Sequence, residues 1–92
     1  MGNRRVHLRI RGSVQGVSFR ASARDAAGKL GLKGWVRNVA NGDVESVAEG
    51  DERAVEQYVA WCHQGPPEAD VDTVAVSEEP FKGEFADFLV TR

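Results

Sequence analysis

The residues most able to do chemistry lie in one short stretch, Gly12-Ser13-Val14-Gln15-Gly16-Val17-Ser18-Phe19-Arg20. A loop with two glycines runs directly into an apolar spacing, Phe19, Ala23, Ala26, Ala27 and Leu30, that belongs to a helix. The first N–H groups of a helix have no acceptor within it, and the helix dipole favours negative charge there, so a loop entering a helix start is a natural anion site. Gly12 and Gly16 can adopt the conformations that turn successive N–H groups inward as a nest. Arg20 adds a planar fork of donors that fits two phosphoryl oxygens at once, which a lysine cannot do. On these grounds alone, an exposed helical arginine beside an ordinary turn glycine accounts for the pattern equally well.

The elements around this stretch decide what else reaches it. Arg5 to Arg11 alternates, with Val6, Leu8 and Ile10 on one side and His7, Arg9 and Arg11 on the other, as a half-buried strand does. Gly31 closes the first helix, and Leu32 to Val39 reads as a second strand. Asn41-Gly42-Asp43 is a turn signal, and Val44 to Glu49 completes a hairpin. Asp51 is a good N-cap for a second helix whose buried stripe is Val55, Tyr58, Val59 and Cys62, stopped by Gly65-Pro66-Pro67. Val71, Val74 and Val76 suggest a fourth strand, Glu78 to Gly83 a polar connection, and Phe85 with Phe88 to Val90 a short last strand. The order is that of an α+β, ferredoxin-like βαββαβ sandwich: an antiparallel sheet with two helices on one face and an extra C-terminal strand. In such a split βαβ unit the first two strands run parallel with the third between them. Right-handed crossover then brings the glycine loop, Arg20 and Asn38 to one edge of the sheet.

Composition sets the frame. Ninety-two residues suggest one domain spanning 1–92. No apolar run reaches membrane-spanning length, the start lacks the apolar stretch of a secretory signal, and the single cysteine, Cys62, fits a reduced, cytoplasmic setting. The net charge of −2 is unevenly spread: Met1 to Ser46 carries nine Lys/Arg against three Asp/Glu, and the remainder three against eleven. The basic half can attract an anion locally, although mixed charge that keeps a surface soluble is the simpler reading.

The glycine loop from Gly12 to Arg20 closely resembles the signature of the acylphosphatase family, and Gly34-Trp35-Val36-Arg37-Asn38 resembles its second signature. The similarity continues through Asn41-Gly42-Asp43-Val44-Glu45, Ala48-Glu49-Gly50 and Gly65-Pro66-Pro67, and so covers nearly the whole chain. The resemblance implies hydrolysis of the carboxyl–phosphate anhydride of a small-molecule acyl phosphate to carboxylate and phosphate. The residues themselves show no metal site, no cofactor is expected, and a monomer is the default. Arg20 matches the family's substrate-binding arginine and Asn38 its water-positioning asparagine. The backbone amides of Gln15, Gly16, Val17, Ser18 and Phe19 match its phosphate cradle. Ser13 replaces a frequent basic residue, and Ser18 stands at a variable place and is expected to face solvent.

Other signals point away from other chemistries. Six residues after Cys62 stands Glu68 rather than an arginine, so no cysteine-phosphatase loop is present and Cys62 reads as core. No lysine follows Gly16 to make a Walker loop. His7 and His63 sit on separate elements without ligand spacing and are expected at the surface, and Asp70 and Asp72 read as a solvated pair. Trp35 and Trp61 read as packing residues, and the third strand carries glutamates where an RNA-binding sheet displays aromatics, so no nucleic-acid partner is expected. Two rivals remain: a non-catalytic module that binds an anionic metabolite through the same nest, and a domain like that of larger carbamoyl-transferring proteins. The chain's length and complete last strand argue against the second.

Overall fold

The alternation of the first strand continues beyond its expected ends: β1 (Asn3–Ser13) buries Val6, Leu8 and Ile10 on one face. The computed structural model describes residues 2–92. The remaining elements are α1 (Phe19–Lys29), β2 (Lys33–Asn38), β3 (Val44–Asp51), α2 (Glu52–Gln64), β4 (Asp70–Glu79) and β5 (Phe88–Thr91). Their sheet order is β4-β1-β3-β2-β5. β3 lies antiparallel between β1 and β2, so those two run parallel as the split βαβ unit requires.

The sheet is mixed rather than purely antiparallel, because β5 pairs parallel with β2. The reason is topological. β4 runs antiparallel to β1, and the eight-residue connection Pro80–Asp87 crosses to the far edge and enters β5 in β2's own direction. The connection starts two residues later than the sequence suggests, because β4 keeps pairing with β1 as far as Glu79. Phe85 belongs to it and not to β5, and its ring lies under the Arg5 guanidinium, 5.0 Å from centroid to Cζ.

Both helices pack on the face that carries Val6, Leu8, Ile10, Val36, Val44, Ala48 and Phe88. α1 closes in a Schellman pattern: Gly31, at φ 72°, donates to the Gly28 carbonyl and Leu32 to that of Ala27. α2 begins at Asp51, whose carboxylate accepts from the N–H of Arg53 at 3.1 Å and of Ala54 at 3.3 Å. Val55, Tyr58 and Cys62 are buried as expected, with Val59 partly so. Trp61 packs against Phe19 at 5.3 Å and stacks with Tyr58, and Tyr58 meets Phe88 edge-on at 5.5 Å. The Tyr58 hydroxyl donates to Ser46 Oγ, which in turn donates to the Trp35 carbonyl, so the one buried phenol is satisfied. Burial pushes the Cys62 thiol up to about 12, which makes it a core residue and not a nucleophile.

The opposite face carries a charged lattice. Arg5, His7 and Arg9 alternate outward on β1, facing Glu49, Val47 and Glu45 on β3. His7 is half-buried there, its Nε2 2.6 Å from Glu45 Oε2, and Arg37 reaches the same carboxylate from β2 at 2.6 Å. Burial raises the Glu45 carboxyl, but the bonds from His7 and Arg37 outweigh it and hold the group below its usual range. His63 is exposed, as are Asp70 and Asp72.

Candidate active site

The glycine loop earns its shape residue by residue. Gly12 sits at a bulge in the β1–β4 pairing, at φ 133°, where an added Cβ would stand 2.2 Å from the Asp70 carbonyl oxygen. Its glycine is required by the close approach of β4, so its part is to release the chain from the sheet and not to line the nest. Gly16, at φ 73°, has open space around its Cα and makes the left-handed turn of the loop itself. Ser18 repeats that turn at φ 62° without being glycine, a conformation that costs a non-glycine residue about 1 kcal/mol. The turn goes with a missing cap: a serine preceding a helix ordinarily caps it through its hydroxyl, but here the side chain makes no cap bond, and the exposed residue stands at the pocket wall. Among the described residues, no backbone N–H from Gln15 to Phe19 finds an acceptor.

Gln15 acts with its side chain. Nε2 donates to the Val39 carbonyl at 2.7 Å and to the Asp43 carbonyl at 2.8 Å, which ties the loop to the turn after β2. That turn is itself braced. Asp43 accepts from Arg9 at 2.8 Å and from Asn41 at 3.2 Å, with Arg11 at 3.4 Å, and Asn41 accepts from the Asp43 N–H. Burial raises the Asp43 carboxyl, but the bonds from Arg9 and Asn41, aided by the charges of Arg9 and Arg11, bring it below its usual value.

These supports bring Gly16, Ser18, Phe19, Arg20 and Asn38 around one pocket of about 260 Å³ at the sheet edge. Gln15 and Val17 lie behind it, Gln15 turned to the hairpin and Val17 packed on the core. Val14, Ala21, Arg24 and Val90 complete the wall. None of these four stands out in the sequence. Arg24 could have been found from its place one turn beyond Arg20, and Val90 only from the parallel docking of β5.

The electrostatics are one-sided. The arginines of β1 and β2 are all paired with carboxylates, whereas Arg20 is half-buried and makes no ion pair among the described residues. α1 has no acidic residue in its first turn to complement its dipole. No acidic residue lines the pocket. Asn38 adds a complementary feature: its Oδ1 is buried and has no hydrogen-bond partner among the described residues. A buried polar atom left in this state costs about 1–3 kcal/mol, so it needs a donor from outside the chain. Donors for an anion and the Asn38 side chain, whose oxygen lacks a donor among the described residues, therefore meet at a single small cavity. Among the described residues, no group of His, Cys, Asp and Glu could hold a metal ion, and no helix is long and apolar enough to cross a membrane.

Known proteins resemble this chain over nearly its whole length. The acylphosphatase family model matches residues 6–90. The acylphosphatase of Methylococcus capsulatus is 52% identical over 89 residues, 97% of each chain. Among solved structures, an acylphosphatase from Coxiella burnetii superposes with a TM-score of 0.92 at 39% identity, covering 97% of this chain and 93% of its own. That from Bacillus subtilis superposes at 0.93 with 32% identity, covering 97% and 99%.

Proposed function

The chain belongs to the acylphosphatase family, and from that premise we propose how its own residues hydrolyse an acyl phosphate to a carboxylate and inorganic phosphate. The N–H groups of the loop and the Arg20 guanidinium bind the phosphoryl oxygens, and Asn38 positions the attacking water. The observation that carries this reading is the meeting, at one pocket, of Arg20 and Asn38: among the described residues the arginine has no carboxylate partner and the asparagine oxygen no donor.

The division of labour follows from the chemistry. Phosphoryl transfer passes through a loose transition state with charge spread over three equatorial oxygens, so catalysis is chiefly positioning and charge stabilisation. Donors fixed by the Gly12 bulge, the Gly16 turn and the Gln15 tie need no reorganisation as that charge develops. A water that donates one hydrogen to Asn38 Oδ1 keeps a lone pair free to face phosphorus. The leaving carboxylate is the base of an acid with a pKa of about 4 to 5 and departs without protonation, so no general acid is required. The pocket walls include no general base, and the phosphoryl group itself takes the water's proton. Arginine and amide donors supply the stabilisation that a metal would otherwise provide. The reading therefore includes activity in the presence of a chelator, and it includes a monomer working in the cytoplasm.

Benzoyl phosphate hydrolysis tests the reading. Wild type is expected to turn over fully with chelator present, and Asn38→Ala to lose at least about 100-fold in kcat while still binding inorganic phosphate. Loss of phosphate binding by that variant would remove the water-positioning role. Binding of phosphate by wild type without any turnover would make the protein an anion-binding module instead.

A further inference from the structure

Arg24 is unexplained by phosphoryl binding. It lies one helical turn beyond Arg20, on the same face of α1, and lines the same pocket. Among the described residues its one carboxylate neighbour is the adjacent Asp25 at 3.7 Å, with both side chains at least half exposed, so its charge is not neutralised in place. Two like charges four residues apart oppose each other on a helix, and Arg20 stands in its first turn, where acidic residues are favoured. The free helix gains nothing from this arrangement, whereas an anion lying along it would.

The pocket indicates where such an anion would lie. The loop and Arg20 sit at the start of α1, Ala21 and Val90 provide a small apolar stretch beside it, and Arg24 follows further along the helix. A phosphoryl group held at the loop would place its acyl chain over Ala21 and Val90, with the far end of a short acyl group at Arg24. One helical turn is about 5.4 Å, and the flexible arginine stem extends that reach. We propose that Arg24 makes this enzyme select acyl phosphates whose acyl group carries a second negative charge. This inference rests on the phosphoryl-binding reading of Arg20 and adds to it the class of acyl group preferred.

The test compares benzoyl phosphate with 4-carboxybenzoyl phosphate, whose leaving groups are both aromatic carboxylates of similar basicity and which differ in the distal carboxylate. Wild type is expected to show a higher kcat/KM for the carboxylated substrate, through a lower KM, and to lose that preference in high salt because the pair is exposed. Arg24→Gln should cut the ratio of the two kcat/KM values about fivefold, the scale of an exposed ion pair. Its benzoyl phosphate rate should fall much less. Arg24→Lys should keep most of the preference, since a point charge suffices. A ratio unmoved by Arg24→Gln, or an equal loss on both substrates, would overturn the selective role while leaving the hydrolase reading intact. Failure of wild type on both substrates would sink the hydrolase reading and this inference with it.

Discussion

Two loops of this chain present clustered backbone N–H groups, and they differ in whether the chain itself supplies an anion to them. In the Pro80–Asp87 connection, the N–H groups of Lys82, Gly83 and Glu84 converge on the Glu49 carboxylate at 3.3, 3.3 and 2.9 Å. Glu49 is fully buried, and Arg5 approaches it at 3.6 Å while also binding Glu79 and Glu84. The loop from Gln15 to Phe19 uses similar means, down to a residue at φ 62° (Ser18 there, Gly83 here), but no carboxylate lines its pocket. A nest that carries its own anion holds the fold together. A nest to which the described residues bring no anion leaves its N–H groups open, and the phosphoryl-binding reading rests on that.

This contrast is best broken by exchanging the expected losses. Arg20→Gln should lower kcat/KM for benzoyl phosphate about 100- to 1000-fold and leave the urea midpoint nearly unchanged. A large loss of stability in that variant would mean the arginine holds the fold after all. Glu49→Gln should do the reverse. It leaves part of a buried nest without its acceptor and should cost about 2–4 kcal/mol in denaturant unfolding, a large share of the stability of so small a domain. The folded fraction should retain activity within a fewfold of wild type. Gln15→Ala should fall between the two, because it strands the Val39 and Asp43 carbonyls and frees the loop. A loss of about 1–3 kcal/mol is expected together with a lower kcat/KM, and a variant altered in only one respect would show that loop and turn are not coupled.

The smallest effect concerns acid. The folded structure holds the Asp43 and Glu45 carboxyls below their ordinary values, so the unfolded chain binds protons more readily than the folded one. Their contribution is complete above about pH 5 and is lost as pH falls through the lowered folded values. Asp43→Asn should flatten the fall of the urea midpoint between about pH 5 and 3. An unchanged slope would assign the acid sensitivity to other carboxylates.

The same contrast explains what could be read from the sequence. Strand alternation, the Asp51 cap, the Gly31 stop and the Asn41-Gly42 turn are local devices, and each left its mark within a few residues. Arg20 was legible for the same reason, since a glycine loop entering a helix is a local pattern. The expectation for Asn38 came chiefly from family resemblance, and its unpartnered oxygen is visible only in three dimensions. The bonds of the Glu49 carboxylate and of the Gln15 side chain leave no local mark. Their partners lie 33 and 24 residues away, and a glutamate in a strand or a glutamine in a loop carries no sign of such a bond. The parallel setting of β5 was missed on the same ground, because the direction of a last strand depends on which edge its connection reaches.

The placement of β3 between β1 and β2 has a kinetic consequence. The Arg20 loop hangs from the end of β1 and Asn38 from the end of β2, yet the two strands never touch, and β1 also pairs with β4, Arg5 opposite Glu79. Such distant pairings demand loop closure before they return any energy, which places the chain toward the slow, millisecond-to-second end of folding for its size. Recovery of hydrolysis during refolding should therefore follow assembly of the whole sheet, not the formation of either helix.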